Sequence, residues 1–173
     1  THGGGVNYFA LMSYYLMSPL NFLTVFLPSE WLREFLMFSV VIKVACASMF
    51  MAIFLRSLFK KNDFSLVIFG CSFGFCAFFM GYYWNTIWLD TVCITPLVAL
   101  GTVKLFTEGK FRLYIVSLAL SLLTNYYIGL FACIFVLLSF IAYNIVKWDG
   151  IKKFATNLLR TGIYSLIAIG LTA

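Results

Sequence analysis

Continuous apolar runs, each about as long as a bilayer is thick and separated by short charged turns, constrain this chain more than any other feature. The first covers residues 34–59 and leads into Lys60 and Lys61, after which Asn62-Asp63 turns the chain into a second run over 64–83. A third starts at Asp90 and ends near Phe106, closed by Thr107-Glu108-Gly109-Lys110. A helix needs about 20 mostly apolar residues to cross the hydrocarbon core. With no water there to satisfy the backbone, only helices or closed barrels can cross. These runs are continuous rather than alternating, which selects helices. Composition agrees: 63% of the 173 residues are hydrophobic and 10% are charged, against roughly 25% charged in a soluble domain. The predicted fold class is an all-α membrane protein, a polytopic transmembrane helix bundle whose first partner is the lipid bilayer.

The remaining segments fit the same scheme. Phe111 to Val146 is apolar and has room for two spans only if both are short. Thr124-Asn125-Tyr126-Tyr127-Ile128-Gly129 interrupts it, which predicts a short fourth helix, a polar bend and a fifth helix over 130–146. Lys147-Trp148-Asp149-Gly150 forms a turn, and a sixth span begins near residue 158. Residues 1–33 read as a separate, outward re-entrant or interfacial helical segment. It opens on a flexible Gly3-Gly4-Gly5, and Pro19 breaks any helix running through it. Two short interfacial helices, 6–17 and 19–27, are expected there, with one kinked spanning helix as the alternative. Ser29 is a candidate N-cap for the next helix. Residues 34–173 then form a bundle of about six helices, the last truncated. The chain starts at Thr1 and stops at Ala173 inside an apolar run, so both ends read as cut from a longer polytopic protein.

Charge sets the expected topology. Lys60, Lys61, Lys104, Lys110, Arg112, Lys147, Lys152, Lys153 and Arg160 all fall at exits of odd-numbered spans, whereas Arg33 is the one cation at the other ends. By the positive-inside rule the basic turns face the cytoplasm. Residues 1–33, the aromatic stretch Tyr82 to Asp90 and the 124–129 bend then all face outward. No basic cluster is long enough to suggest nucleic acid as a partner. The five cysteines lie in apolar runs, and Cys71 and Cys76, about 140° apart around a helix, share no face.

Few residues carry chemistry. Asp90, at the outer start of the third span, serves either as a helix N-cap or as a functional carboxylate. With Asn85, Tyr83 and Trp88 beside it, it has the chemistry to hold a sugar or a metal-diphosphate. Magnesium and manganese take such oxygen ligands, but one carboxylate makes no metal site, so a divalent cation is a cofactor left open. Trp84 and Trp88 also suit the ordinary aromatic belt of a membrane protein. Lys43, about 12 Å into the first span at 1.5 Å per residue, either snorkels to the outer interface or faces the bundle interior to meet a phosphate or carboxylate. Asn125, with Tyr126 and Tyr127, either satisfies backbone freed by the bend or adds to a binding surface. No P-loop, dinucleotide fingerprint or His/Ser/Asp grouping is present.

The segments Gly3-Gly4-Gly5-Val6-Asn7-Tyr8-Phe9, Tyr14-Tyr15-Leu16 and Ser18-Pro19-Leu20-Asn21-Phe22-Leu23 resemble the bacterial YfhO membrane proteins. So do Trp88-Leu89-Asp90 with Pro96-Leu97, and Ser117 to Ser121 leading to Asn125-Tyr126-Tyr127-Ile128-Gly129. The resemblance spans nearly the whole chain and implies an early section of a GT-C type glycosyltransferase in the bacterial cell membrane. Such enzymes take a sugar from a polyprenyl-phosphate donor on the outer face. Here the implied acceptor is a cell-envelope polymer such as lipoteichoic acid. The family's expected catalytic acid precedes the glycine-rich segment, so it lies upstream of Thr1, the role does not pass to Asp90, and the section alone is expected to be inactive. Asp90, Asn85, Trp88, Asn125, Tyr126, Lys43 and Asn7 are then substrate-side residues, with Lys43 neutralising the carrier phosphate. The alternatives are a transporter or lipid flippase, which expects Lys43 to pair with an acid inside the bundle, and a non-catalytic membrane segment.

Overall fold

The computed structural model describes residues 17–172. Asn7 and nearly all of the helix expected over 6–17 lie outside them. Where a second interfacial helix was expected, the chain makes a tight 3-10 turn over Asn21–Phe26, and another over Ser29–Trp31 leads straight into helix α1 (Leu32–Phe59). Ser29 does not cap it: the residue lies inside the turn, and neither the turn nor α1 has a side-chain cap. Lys60, at φ 53°, ends α1 by donating its N–H to the Arg56 carbonyl at 2.9 Å.

The second apolar run folds as two pieces, α2 (Ser65–Gly74) and α3 (Ala77–Gly81), broken where Cys76 adopts an extended backbone. Helix α4 (Thr86–Glu108) begins four residues before the expected start at Asp90. It ends at Gly109, whose φ of 70° suits glycine and lets Lys110 N–H reach back to the Lys104 carbonyl at 3.3 Å. Then come α5 (Arg112–Thr124), α6 (Tyr126–Val146) and α7 (Ile151–Gly170). Among the described residues, three helical stretches are long and apolar enough to cross a membrane: Ser29–Phe59, Thr86–Glu108 and Tyr126–Val146.

Helix α4 is the spine of the bundle. Its first half packs on α1 and α3 through Leu89 and Cys93 against Ala47 of α1 and Phe79 of α3, and its second half packs on α5 and α6 through Val98, Leu105 and Phe106 against Tyr114, Leu118 and Phe140. Association in lipid depends on close backbone approach rather than on hydrophobic transfer. Two places show it. A Cβ on Gly74 would sit 2.0 Å from Ser48 Oγ and 2.9 Å from the Val44 carbonyl of α1. A Cβ on Gly101 would sit 2.7 Å from Tyr114 Cα. Pro96 lies buried inside α4, where it removes one helical hydrogen bond. Nearby, Thr95 Oγ1 donates to the Thr91 carbonyl at 2.9 Å. Tyr114 hydroxyl meets Ser165 Oγ at 2.6 Å and fastens α7 to α5.

These packings align the ends of the helices. Lys43 of α1 lies level with the first turn of α4, and Ala47 with its second, so α1 and α4 run parallel. Thr91 of α4 bonds Thr124 of α5, so those two run antiparallel. Lys60, Lys110 and Lys147 therefore follow the same end of the bundle, and Thr86, Thr124 and Tyr126 gather at the other.

Candidate functional site

The site begins with a buried lysine. Lys43 is 2% exposed, and its ammonium reaches α4 instead of the interface. Nζ donates to Asp90 Oδ2 at 2.9 Å and to the Thr86 carbonyl at 2.9 Å. Asp90 is 7% exposed and sits one turn inside α4, so it is not the N-cap; that position belongs to Asn85, whose side chain makes no capping bond. Of the two roles open to Lys43, snorkelling is excluded and pairing with a carboxylate is observed. Burying both charges is tolerable only because each neutralises the other and the ammonium gains a carbonyl. An ammonium has three N–H donors, and two are engaged by these partners.

A cavity of about 310 Å³ adjoins the pair between α1, α4 and α5. Its walls are mostly apolar, with Cys46, Phe50, Ile94, Leu97 and Leu120 among them, and Pro19 and Leu20 of the entering segment border it. Lys43 and Asp90 supply its charge.

The other expected residues divide. Trp88 stands on the first turn of α4 with its ring 5.8 Å from that of Tyr82, which lies 6.3 Å from Trp84. Trp88 Nε1 is buried with no hydrogen-bond partner among the described residues. Asn125 is fully buried and caps α6, its Oδ1 accepting from Ile128 N–H at 3.0 Å. The bend is thus held as its sequence suggested, while Asn125 Nδ2 is buried without a hydrogen-bond partner among the described residues. Replacing Asn125 with alanine is expected to cost about 1 kcal/mol, readable as a lower unfolding temperature of the purified protein. Tyr126 is exposed beside it. No hydrogen bond joins Asn125 to Lys43 or Asp90: the pair faces α1, and Asn125 stands at the α5–α6 junction. Among the described residues no group of three or more His, Cys, Asp or Glu is placed to hold a metal ion.

Sequence reasoning missed what joins these two halves. Thr91 Oγ1 donates to the Ser121 carbonyl at 3.2 Å and meets Thr124 Oγ1 at 3.1 Å. Both threonines are buried. The signal was available: Ser117, Ser121 and Thr124 recur at i, i+4 and i+7, one polar stripe on an otherwise apolar helix.

Parallel and antiparallel apolar helices, close glycine contacts and a buried ion pair beside a lipid-accessible bundle define an all-α membrane protein. The chain belongs to the family of the bacterial membrane protein YfhO, whose family model matches residues 1–173. No curated protein and no solved structure matches it.

Proposed function

We propose that this chain is a section of a GT-C type membrane glycosyltransferase that moves a sugar from a polyprenyl-phosphate carrier to a cell-envelope polymer such as lipoteichoic acid on the outer face. The observation carrying this reading is the mostly apolar cavity with Lys43 and Asp90 in its wall, the pair lying toward the end of the bundle away from the basic turns. Apolar walls suit an isoprenoid chain, and an ammonium suits the phosphate that ends it. In this reading residues 1–33 are the outward segment and 34–173 the bundle, and Asn7 is a substrate-side residue.

In this reading a carboxylate supplied from upstream of Thr1 takes the proton of an acceptor hydroxyl, whose oxygen attacks the anomeric carbon as the bond to the carrier phosphate breaks and polyprenyl phosphate leaves. General-base attack without a covalent intermediate inverts the sugar. Asp90 acts through Lys43: it fixes the ammonium so that the third N–H can take a carrier phosphate oxygen. Trp88 Nε1 and Asn125 Nδ2 are donors left for sugar or polymer oxygens. Asp90→Asn, in cells holding wild-type amounts of the protein, lowers polymer glycosylation at least about tenfold, the effect of roughly 1.4 kcal/mol in the barrier. Unchanged glycosylation would overturn the site assignment.

Sidedness has its own test. Trp84 is 68% exposed at the proposed outer end, so a cysteine there, in a cysteine-free background, reacts in intact cells with a membrane-impermeant thiol reagent. Labelling only after the cells are opened reverses the topology.

One observation also favours a transporter or lipid flippase. That reading requires Lys43 to pair with an acid inside the bundle, and it does. Interrupted helices such as α2–α3 and α5–α6 often frame transport sites. Movement of labelled lipid-linked sugar across proteoliposomes, without transfer to an acceptor, would select it.

A further inference from the structure

A second polar site lies at the opposite, basic end of the bundle. There the first half of α7 passes the turn after α4, and the two enclose a cavity of about 420 Å³. Thr107, Glu108 and Gly109 form one wall, and Lys152, Thr156, Asn157 and Arg160 are among the residues of the other. Lys152, Thr156 and Arg160 recur every four residues, so they stand on one face of α7. Arg160 lies against the bare backbone of the turn, since a Cβ on Gly109 would be 3.0 Å from Arg160 Nη1.

The charges in this cavity are unequally committed. Glu108, its one carboxylate, is held by Lys110 at 2.6 Å. Lys153, also in the wall, is bound to Asp149. That ammonium holds the Asp149 carboxyl below the usual carboxylate range, so the Lys153–Asp149 pair stays ionised at neutral pH. Lys152 and Arg160 have no carboxylate partner among the described residues. Asn157 is only 5% exposed, and it borders the cavity. Two cations without a carboxylate partner and the Asn157 side chain line a space whose one carboxylate, Glu108, is bound to Lys110.

We propose that this cavity holds the phosphate of an anionic membrane lipid. A guanidinium, an ammonium and an amide N–H together match a group with several acceptor oxygens and negative charge. A lipid, rather than free phosphate, fits the surroundings. Leu159 and Leu166 are exposed on the side of α7 next to Lys152, and Trp148 and Ile151 are exposed near its start. Acyl chains would lie along those side chains while the headgroup enters the basic cavity. Basic pockets between helices at a membrane's cytoplasmic boundary take lipid headgroups in this way.

The test uses the whole purified protein in detergent, with phosphatidylglycerol and phosphatidylcholine as probes and native mass spectrometry to count retained lipid. Wild-type protein retains phosphatidylglycerol over phosphatidylcholine, and millimolar inorganic phosphate does not displace it. Lys152→Gln and Arg160→Gln each weaken phosphatidylglycerol binding about fivefold, and together about 25-fold, as expected for loss of one surface cation each. Both side chains are exposed, so the variants keep the wild-type unfolding temperature in phosphatidylcholine, which separates lost binding from lost fold. Wild-type retention by the double variant, equal retention of the two lipids, or displacement by inorganic phosphate would each overturn the assignment.

Discussion

Asp90→Asn removes about 3 kcal/mol of stability, because it leaves the Lys43 ammonium buried among apolar helices with no counter-charge. Breaking a buried pair from one side costs roughly 3–5 kcal/mol, and the retained amide oxygen places this change at the low end. The complementary variant decides what the pair is for. Lys43→Met with Asp90→Leu removes both charges and keeps the volumes similar, a replacement that is often neutral or stabilising. Thermal unfolding in detergent should show a clear fall for Asp90→Asn and near-wild-type stability for the double variant. An unaffected single variant would mean that Lys43 reaches water, contrary to its burial.

Gly101→Val should be the most damaging single substitution in the α4–α5 contact. The new Cβ would lie 2.7 Å from Tyr114 Cα, 2.8 Å from Tyr114 N and 3.2 Å from the Leu113 carbonyl carbon. All are backbone atoms, so no rotamer change relieves them, and the helices must separate. Overpacking of a core typically costs about 1–3 kcal/mol, and this case belongs at or above the upper value. Separation would also strain the Thr91–Thr124 bond and open the Val98–Tyr114–Leu118 core. Gly162 gives the contrast: a Cβ there meets nothing within 4 Å, so Gly162→Ala, inside α7, should be neutral or gain about 0.5–1 kcal/mol. Equal unfolding temperatures for Gly101→Val and wild type would show that α4 and α5 are less closely packed.

The helices were legible because lipid makes strict demands. A continuous apolar run can cross in few ways, and charged or glycine-containing turns mark where it stops. Asn125 was readable for a local reason: a short polar side chain that can cap an amide three residues on interrupts an apolar run. The partner of Lys43 was not readable. Asp90 is 47 residues away, and which helix face meets which depends on close contacts such as Gly74 on Ser48 and Gly101 on Tyr114. Asp90 looked like a helix start because the polar stretch ends there, yet α4 begins at Thr86 and carries the carboxylate inward by one turn. The break at Cys76 was hidden because no proline or charged residue marks it.

That inward turn changes what Asp90 can do. A carboxylate at a helix start would face solvent and bind substrate directly. Held by Lys43, it positions the ammonium in the proposed reading, while Trp88 Nε1 and Asn125 Nδ2 have no hydrogen-bond partner among the described residues. The basic end carries Lys152 and Arg160 without a carboxylate partner among the described residues, so the two proposals place different anionic lipids at the two ends of the bundle.

The most direct test is the glycosylation of the envelope polymer in cells whose whole protein carries Lys43→Met with Asp90→Leu, expressed at the wild-type level. Recovered stability without the pair separates holding the fold from handling substrate. The account predicts a stable protein and polymer glycosylation at least about tenfold below wild type. A stable protein with wild-type glycosylation would contradict it and leave Lys43 and Asp90 as a device for packing α1 against α4.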